Sequence, residues 1–199
     1  MKRDGSGLAA VTTIKRFRRQ IPEQWNPWLL DASSLTRRLQ GHCCGRFQVK
    51  IVSEQLQRPT VEEAMRLSVS PARLALVRQV VLCCQGEPWV LAHSVVPLSS
   101  LKGELLRLKR LGEHPLGAFL FAHPQLQRSG FELFSVAMAV VSDRFQLESV
   151  GDRFAAEAPL WGRRSRFCIG DKSLLVSEIF LPGLQDHDRS GCDDAAAIA

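Results

Sequence analysis

Two charged residues interrupt strand faces that are otherwise apolar, and they are of opposite sign. Along residues 74–82 the alternate positions are Leu74, Leu76, Arg78, Val80 and Leu82; along 174–180 they are Leu174, Val176, Glu178 and Phe180. Side chains of a strand alternate between its faces, so each run predicts one ionised group among aliphatic neighbours. Such a group must be paired or hydrogen-bonded, because desolvating it alone is costly. Two arrangements meet that requirement. Either Arg78 and Glu178 pair with each other or with neighbours as structural ion pairs, or they stand at opposite ends of a closed pocket. A pocket of that kind suits a small ligand with a carboxylate and a hydroxyl: the guanidinium grips the carboxylate bidentately and the glutamate accepts from the hydroxyl.

The stretch "WGRRSRF", residues 161–167, places three arginines within four positions. Its place in a hairpin decides what they face. A two-residue loop at Gly170–Asp171 sets Ile169 opposite Lys172, Phe167 opposite Leu174 and Arg163 opposite Glu178. Arg164 and Arg166 then lie on the other face. A three-residue loop would exchange the faces. With the short loop, Arg163 joins Glu178 as a candidate substrate-binding residue.

Other chemistry is hard to find. The five histidines show no H-E-x-x-H or comparable metal spacing. No G-x-S-x-G elbow, P-loop or G-x-G-x-x-G is present, and no metal site is expected. The basic cluster lacks the aromatic platforms of an RNA-binding surface. His114, just before Pro115, Leu116 and Gly117, reads as a loop residue rather than a base, since it has no spaced partner.

The elements that must position these residues follow from periodicity and breakers. "NPWLLDASSLTRRLQG" predicts a helix start at Asn26–Pro27, then a second turn capped by Ser33 or Ser34 and ended by Gly41. Phe47, Val49 and Ile51 alternate as a strand. Residues 73–97 read as a hairpin around Gln85–Gly86, ending at Pro97. Leu101, Leu105, Leu108 and Leu111 have helical spacing, stopped by Gly112. "HPLGAFLFAHP" is a turn followed by a short apolar helix. Residues 131–150 are ambiguous between strand and other structure, and 163–182 form the second hairpin. Hairpins with interspersed helices, rather than βαβ crossovers, predict an α+β fold: one domain with a central antiparallel sheet and surrounding helices.

Whole-chain properties agree. The 199 residues are 45% hydrophobic and 23% charged, with a formal net charge of +6, an ordinary composition for one globular domain. The boundaries read as a weakly ordered segment over 1–20, a domain over 21–183, and a disordered tail over 184–199. No apolar run approaches the roughly 20 residues of a membrane helix, and the basic start lacks the apolar core of a signal peptide. The expectation is a cytoplasmic protein with no membrane insertion. The cysteines at 43, 44, 83, 84, 168 and 192 show no C-x-x-C spacing. Vicinal cysteines are poor partners for one another, so reduced, partly buried thiols are expected.

The stretches "GEPWVLAHSVVP", "LGEHPLGAFLF", "LWGRRSRF" and "LLVSEIFLP" occur in an order and spacing that resembles the bacterial chorismate lyase (chorismate–pyruvate lyase) family, over about Trp28 to Pro182. The resemblance implies an antiparallel sheet with an internal site under helical flaps. It also implies conversion of chorismate to 4-hydroxybenzoate and pyruvate without metal or organic cofactor, the first committed step of ubiquinone biosynthesis. By the same resemblance Arg78 grips the ring carboxylate, Glu178 meets the ring's oxygen substituent, and the Leu116–Gly117 backbone assists the carboxylate. Ser34 and Leu35 line the flap, where the family often carries methionine. The implied partners are the small molecules chorismate and 4-hydroxybenzoate; apart from the resemblance, no nucleic-acid partner and a monomeric state are expected. This chain departs from the family by extra residues between "FELFSV" and "PLWGRRS", an expected insertion within 131–157. The competing reading is a non-enzymatic sensor domain of the same fold family that binds small aromatic acids. Against it, the residues before Trp28 are too few for a winged helix.

Overall fold

Two tight turns organise the sheet. Gln85 and Gly86 both take positive φ, 52° and 86°, as a two-residue hairpin turn demands. They join β3 (Ala75–Cys84) to β4 (Glu87–Pro97). Gly170, at φ 59°, joins β7 (Leu160–Ile169) to β8 (Lys172–Phe180). The second loop has two residues: Ile169 pairs with Lys172, Phe167 with Leu174 and Arg163 with Glu178.

The computed structural model describes residues 12–13, 21–145 and 159–185. Its remaining strands are β1 (Thr12–Thr13), β2 (Phe47–Gln57), β5 (Leu126–Arg128) and β6 (Glu132–Val136). They form one eight-stranded sheet in the order β1-β6-β7-β8-β4-β3-β2, with β5 also paired to β7. Every pairing is antiparallel. The helices are α1 (Asn26–Leu29), α2 (Leu35–His42), α3 (Val61–Leu67), α4 (Leu116–Phe121) and α5 (Met138–Phe145), with 3-10 turns at Glu23–Trp25 and Gly103–Arg110. The fold is α+β, a single sheet with helices on both faces.

Each face of the sheet has its own apolar packing. On the front, Trp25, Trp28, Leu29, Leu35 and Leu39 pack on Val80, Leu82, Val90 and Phe180. Farther along the same face, the Leu101, Leu105, Leu108 and Leu111 series packs with Leu120 on Leu76, Phe167 and Val176. On the back, Met138, Val141 and Phe145 of α5 cover Val81, Leu91 and Ile179, while Leu67 of α3 covers Val77, Val95 and Leu175. The front face therefore carries apolar packing at both ends with a gap between them.

Several expectations need correction. Gly41 does not stop α2: the helix continues to His42 and ends at Cys43, whose backbone is extended. The helix α3 was not anticipated from the sequence, although Thr60 and Glu63 form a reciprocal capping box at its start. In the ambiguous 131–150 stretch, β6 and α5 are the described elements; residues 146–157 of the expected insertion lie outside the described residues. So do most of the segments 1–20 and 184–199, although Thr12–Thr13 pair with β6 and Leu184 is buried among the front-face tryptophans. The cysteines are not all reduced thiols: Cys43, at the end of α2, is disulfide-bonded to Cys84, at the end of β3, with Cα atoms 5.7 Å apart. Chain folding brings these two together across 41 residues, a juxtaposition that local spacing does not encode.

Candidate active site

Arg78 lies on the front face of β3, between the two apolar packing regions. It is 5% exposed and does not pair with Glu178. Its Nη1 donates to Glu54 Oε2 at 2.6 Å, and its Nη2 donates to the carbonyls of Gly112 at 2.6 Å and His114 at 3.4 Å. Glu54 reaches that face because of a β-bulge. The register of β2 against β3 shifts between Ile51 and Ser53, which reverses the alternation, so Val49 and Ile51 precede it on the face that Glu54 and Leu56 occupy after it. Strict alternation from Phe47 hid this residue. The carbonyl contacts matter equally, since they tie the loop 112–114 to the sheet and so locate the start of α4, Leu116 and Gly117, beside Arg78.

Glu178 lies two strands away, on β8. The register runs from Glu178 to Ala92 on β4 and from Ala92 to Val80 on β3. Two strand spacings and two residues put the Arg78 and Glu178 Cα atoms roughly 12 Å apart. Glu178 Oε2 accepts from Arg163 Nε at 2.5 Å, and Oε1 has no protein partner among the described residues. Arg163 is 1% exposed and works as a strut: its Nη1 donates to the carbonyls of Trp28 at 2.8 Å and Asp31 at 2.6 Å, pinning the α1–α2 connection from below.

Together these elements line a narrow, mostly apolar cavity between the sheet and the helices, the kind of place in which a small organic ligand binds. Arg78 and Glu178 both line it, with Leu35, Thr36, Leu116 and Gly117 from the helices and Val80, Leu82, Ala92, Ser94 and Val176 from the sheet. Of the residues singled out from sequence, Arg78, Glu178, Leu35, Leu116 and Gly117 therefore meet at one cavity. Arg163 and Ser34 do not line it. Arg163 stands behind Glu178, and Ser34 caps α2 through a 3.5 Å bond from the Arg37 amide.

Helices α2 and α4 form the cover. A Cβ on Gly117 would lie 2.8 Å from Thr36 Oγ1, so the backbone of α4 sits directly against α2. The approach to α2 is fastened by Asp31, whose carboxylate accepts from Ser33 N and Oγ, each at 2.8 Å, and from Arg38 at 3.0 Å. Burial alone would raise the Asp31 carboxyl, but the Ser33 and Arg38 bonds outweigh it and hold it below the ordinary value.

One lining residue escaped the sequence reading altogether. Arg128, on β5, has its guanidinium 4.2 Å from the Phe131 ring centre and 5.0 Å from that of Phe167. Its Nη2 is 4.0 Å from Glu178 Oε2. Burial pushes the guanidinium down to about 10, partly offset by Glu178, so it is charged at neutral pH. The available signal was Leu126-x-Arg128, a short apolar face continued by a cation, too brief to register as a strand. Arg164 and Arg166 point to the back of the sheet. Arg164 binds Glu62 and Glu132 at 3.2 Å each, and Arg166 donates to the Arg66 carbonyl. Arg163 and Arg164 of "WGRRSRF" are thus engaged inside the protein, while the half-buried Arg166 lines a depression on the back with Arg164 and Arg66.

Fold and site together define an α+β protein with a pocket between one antiparallel sheet and two short helices. The chain belongs to the chorismate lyase family, whose pattern it matches over residues 18–190. It is 41% identical over 173 residues to a probable chorismate pyruvate-lyase of Marinobacter nauticus, covering 85% of this chain and 84% of that one. It is 40% identical over 157 residues to a probable chorismate pyruvate-lyase of Methylococcus capsulatus, covering 79% and 94%. Among solved structures, a GntR-family transcriptional regulator from Bacillus cereus superposes with a TM-score of 0.51 at 11% identity, over 68% of this chain and 92% of that one. That likeness concerns the fold alone.

Proposed function

We propose that this protein is a chorismate lyase, converting chorismate to 4-hydroxybenzoate and pyruvate as the first committed step of ubiquinone biosynthesis. The observation that carries the reading is the convergence of Arg78 and Glu178 on one enclosed cavity in a chain of this family. In this reading Arg78 and the Leu116–Gly117 backbone receive the ring carboxylate, and Leu35 closes over the ring. Glu178 turns Oε1 to the oxygen substituents at the far end, while Arg163 holds Oε2.

The reaction balances without a co-reactant. The bond between the ring carbon and the ether oxygen breaks, and its electron pair becomes the keto group of pyruvate. The enolpyruvyl methylene gains the hydrogen that the neighbouring ring carbon loses, and that C–H pair completes the aromatic ring. Aromatisation supplies the drive, so the protein's contribution is to hold the reacting atoms in line and to stabilise developing charge on oxygen. Closure by α2 and α4 implies that product release is slow. A cytoplasmic monomer completes the proposal. The monomer is supported by the helices that already cover both faces of the sheet.

The deciding experiment incubates the purified protein with chorismate and follows both 4-hydroxybenzoate and pyruvate. Release of the two in equal amounts is the expected result. Tight binding of 4-hydroxybenzoate without turnover would instead support a sensor domain, and neither binding nor turnover would defeat both readings.

A further inference from the structure

We infer that Arg128 receives the second carboxylate of the substrate, the one on the enolpyruvyl side chain, and so lets the site distinguish chorismate from the product it leaves behind. The inference rests on the chorismate lyase reading above. Chorismate carries two carboxylates, and Arg78 can meet only the one on the ring. The other hangs from the ether oxygen at the Glu178 end, where an ionised glutamate would repel it unless a cation intervenes.

Two arginines are near that glutamate, and only one of them is available. Arg163 has committed its Nε to Glu178 and its Nη1 to two carbonyls, and it does not face the cavity. Arg128 does line the cavity. Its Nε is held by Ser165 Oγ at 3.1 Å, and its plane is held by Phe131 and Phe167. The fork itself is nearly unspent: Nη1 has a long bond of 3.4 Å to the Ala32 carbonyl, and Nη2 stands 4.0 Å from Glu178, beyond hydrogen-bond range. A guanidinium fixed through its Nε and its faces, with its outer nitrogens only weakly engaged, is oriented in advance for a carboxylate.

Its position also fits a group that must leave. Arg128 lines a second depression, at the surface, with Ala32, His123 and Phe131, so it forms the wall between the cavity and the outside. Cleavage of the ether moves the second carboxylate onto pyruvate, next to that wall. The 4-hydroxybenzoate left behind has only the carboxylate held by Arg78.

The test measures two ligands on three proteins. Arg128→Met keeps the length and the cover over Phe131 and Phe167, and Arg128→Lys keeps the charge without the fork. For each variant and the wild type, chorismate kinetics are recorded, and calorimetry gives the Kd of 4-hydroxybenzoate and of 3-(carboxymethoxy)-4-hydroxybenzoate, a stable ligand with both carboxylates. Loss of a charge-assisted pair predicts that Arg128→Met raises KM for chorismate and Kd for the dianionic ligand on the order of 10- to 100-fold. The affinity for 4-hydroxybenzoate, which also reports correct folding, should barely move, and Arg128→Lys should fall between. Equal weakening of both ligands would make Arg128 a structural wall and overturn the inference, as would unaltered chorismate kinetics in an active enzyme. A wild-type protein inert toward chorismate would overturn the parent reading itself, a distinguishable failure.

Discussion

Replacing Arg78 removes a cavity-lining cation and, with it, the anchor of the loop that leads into α4. Arg78→Ala is therefore expected to weaken 4-hydroxybenzoate binding on the order of 100-fold or more, combining a lost charge-assisted pair with a displaced Leu116–Gly117 backbone. Calorimetry checks it, and an unaltered Kd would move the ring carboxylate elsewhere. Glu178 differs because its partner is deeply buried. Glu178→Gln leaves Arg163, 1% exposed, against a neutral amide instead of a carboxylate 2.5 Å away. The expected result is a loss of about 1–3 kcal/mol in denaturant unfolding, together with a fall in kcat/KM for chorismate. A variant with wild-type stability and kinetics would remove Glu178 from the site.

At the level of elements, the cavity depends on how closely two short helices meet. Neither α2 nor α4 is long enough to be stable alone; each is held by packing on the sheet and by the other. Gly117 permits the contact, since a methyl there would reach 2.8 Å from Thr36 Oγ1 and 3.7 Å from Ser34 Oγ. Gly117→Ala is predicted to force α2 and α4 slightly apart. Stopped-flow displacement of 4-hydroxybenzoate should then show faster release, with most of the affinity change in the dissociation rate. Release at the wild-type rate would mean that the α2–α4 contact does not govern closure. The β-bulge in β2 has a comparable role for the opposite wall. Without its change of register Glu54 would face away from Arg78, which would then be buried with only carbonyl partners.

For the molecule as a whole, the disulfide links the helical cover to the sheet. It joins the end of α2 to the end of β3 across 41 residues, and in the loop-entropy account a closure of that length contributes up to about 4 kcal/mol. The double variant Cys43→Ser, Cys84→Ser is predicted to unfold at a lower temperature than the wild type. Cys44 is also disulfide-bonded, so the double variant, and not reductant, isolates the Cys43–Cys84 link. Equal midpoints under all conditions would show that the link adds nothing to stability. The remaining free thiols among the described residues, Cys83 and Cys168, do not enter this comparison.

Local pattern alone determined the hairpins, the apolar faces and the two charges that break them. Alternation and turn residues are short-range properties, and they sufficed to place Arg163 opposite Glu178 once the loop length was known. The Leu101 to Leu111 series announced its buried face in the same way. What tertiary structure decided was how charges pair across strands distant in sequence. Glu54 reached Arg78 through a bulge, Arg128 entered the site from a three-residue strand, and Cys43 met Cys84 by the folding of α2 onto the sheet. The same holds for Arg163, which sequence placed at the pocket wall and the fold placed behind it. A residue's face follows from its neighbours in the chain, whereas its partner follows from register, curvature and packing, which only the assembled sheet establishes.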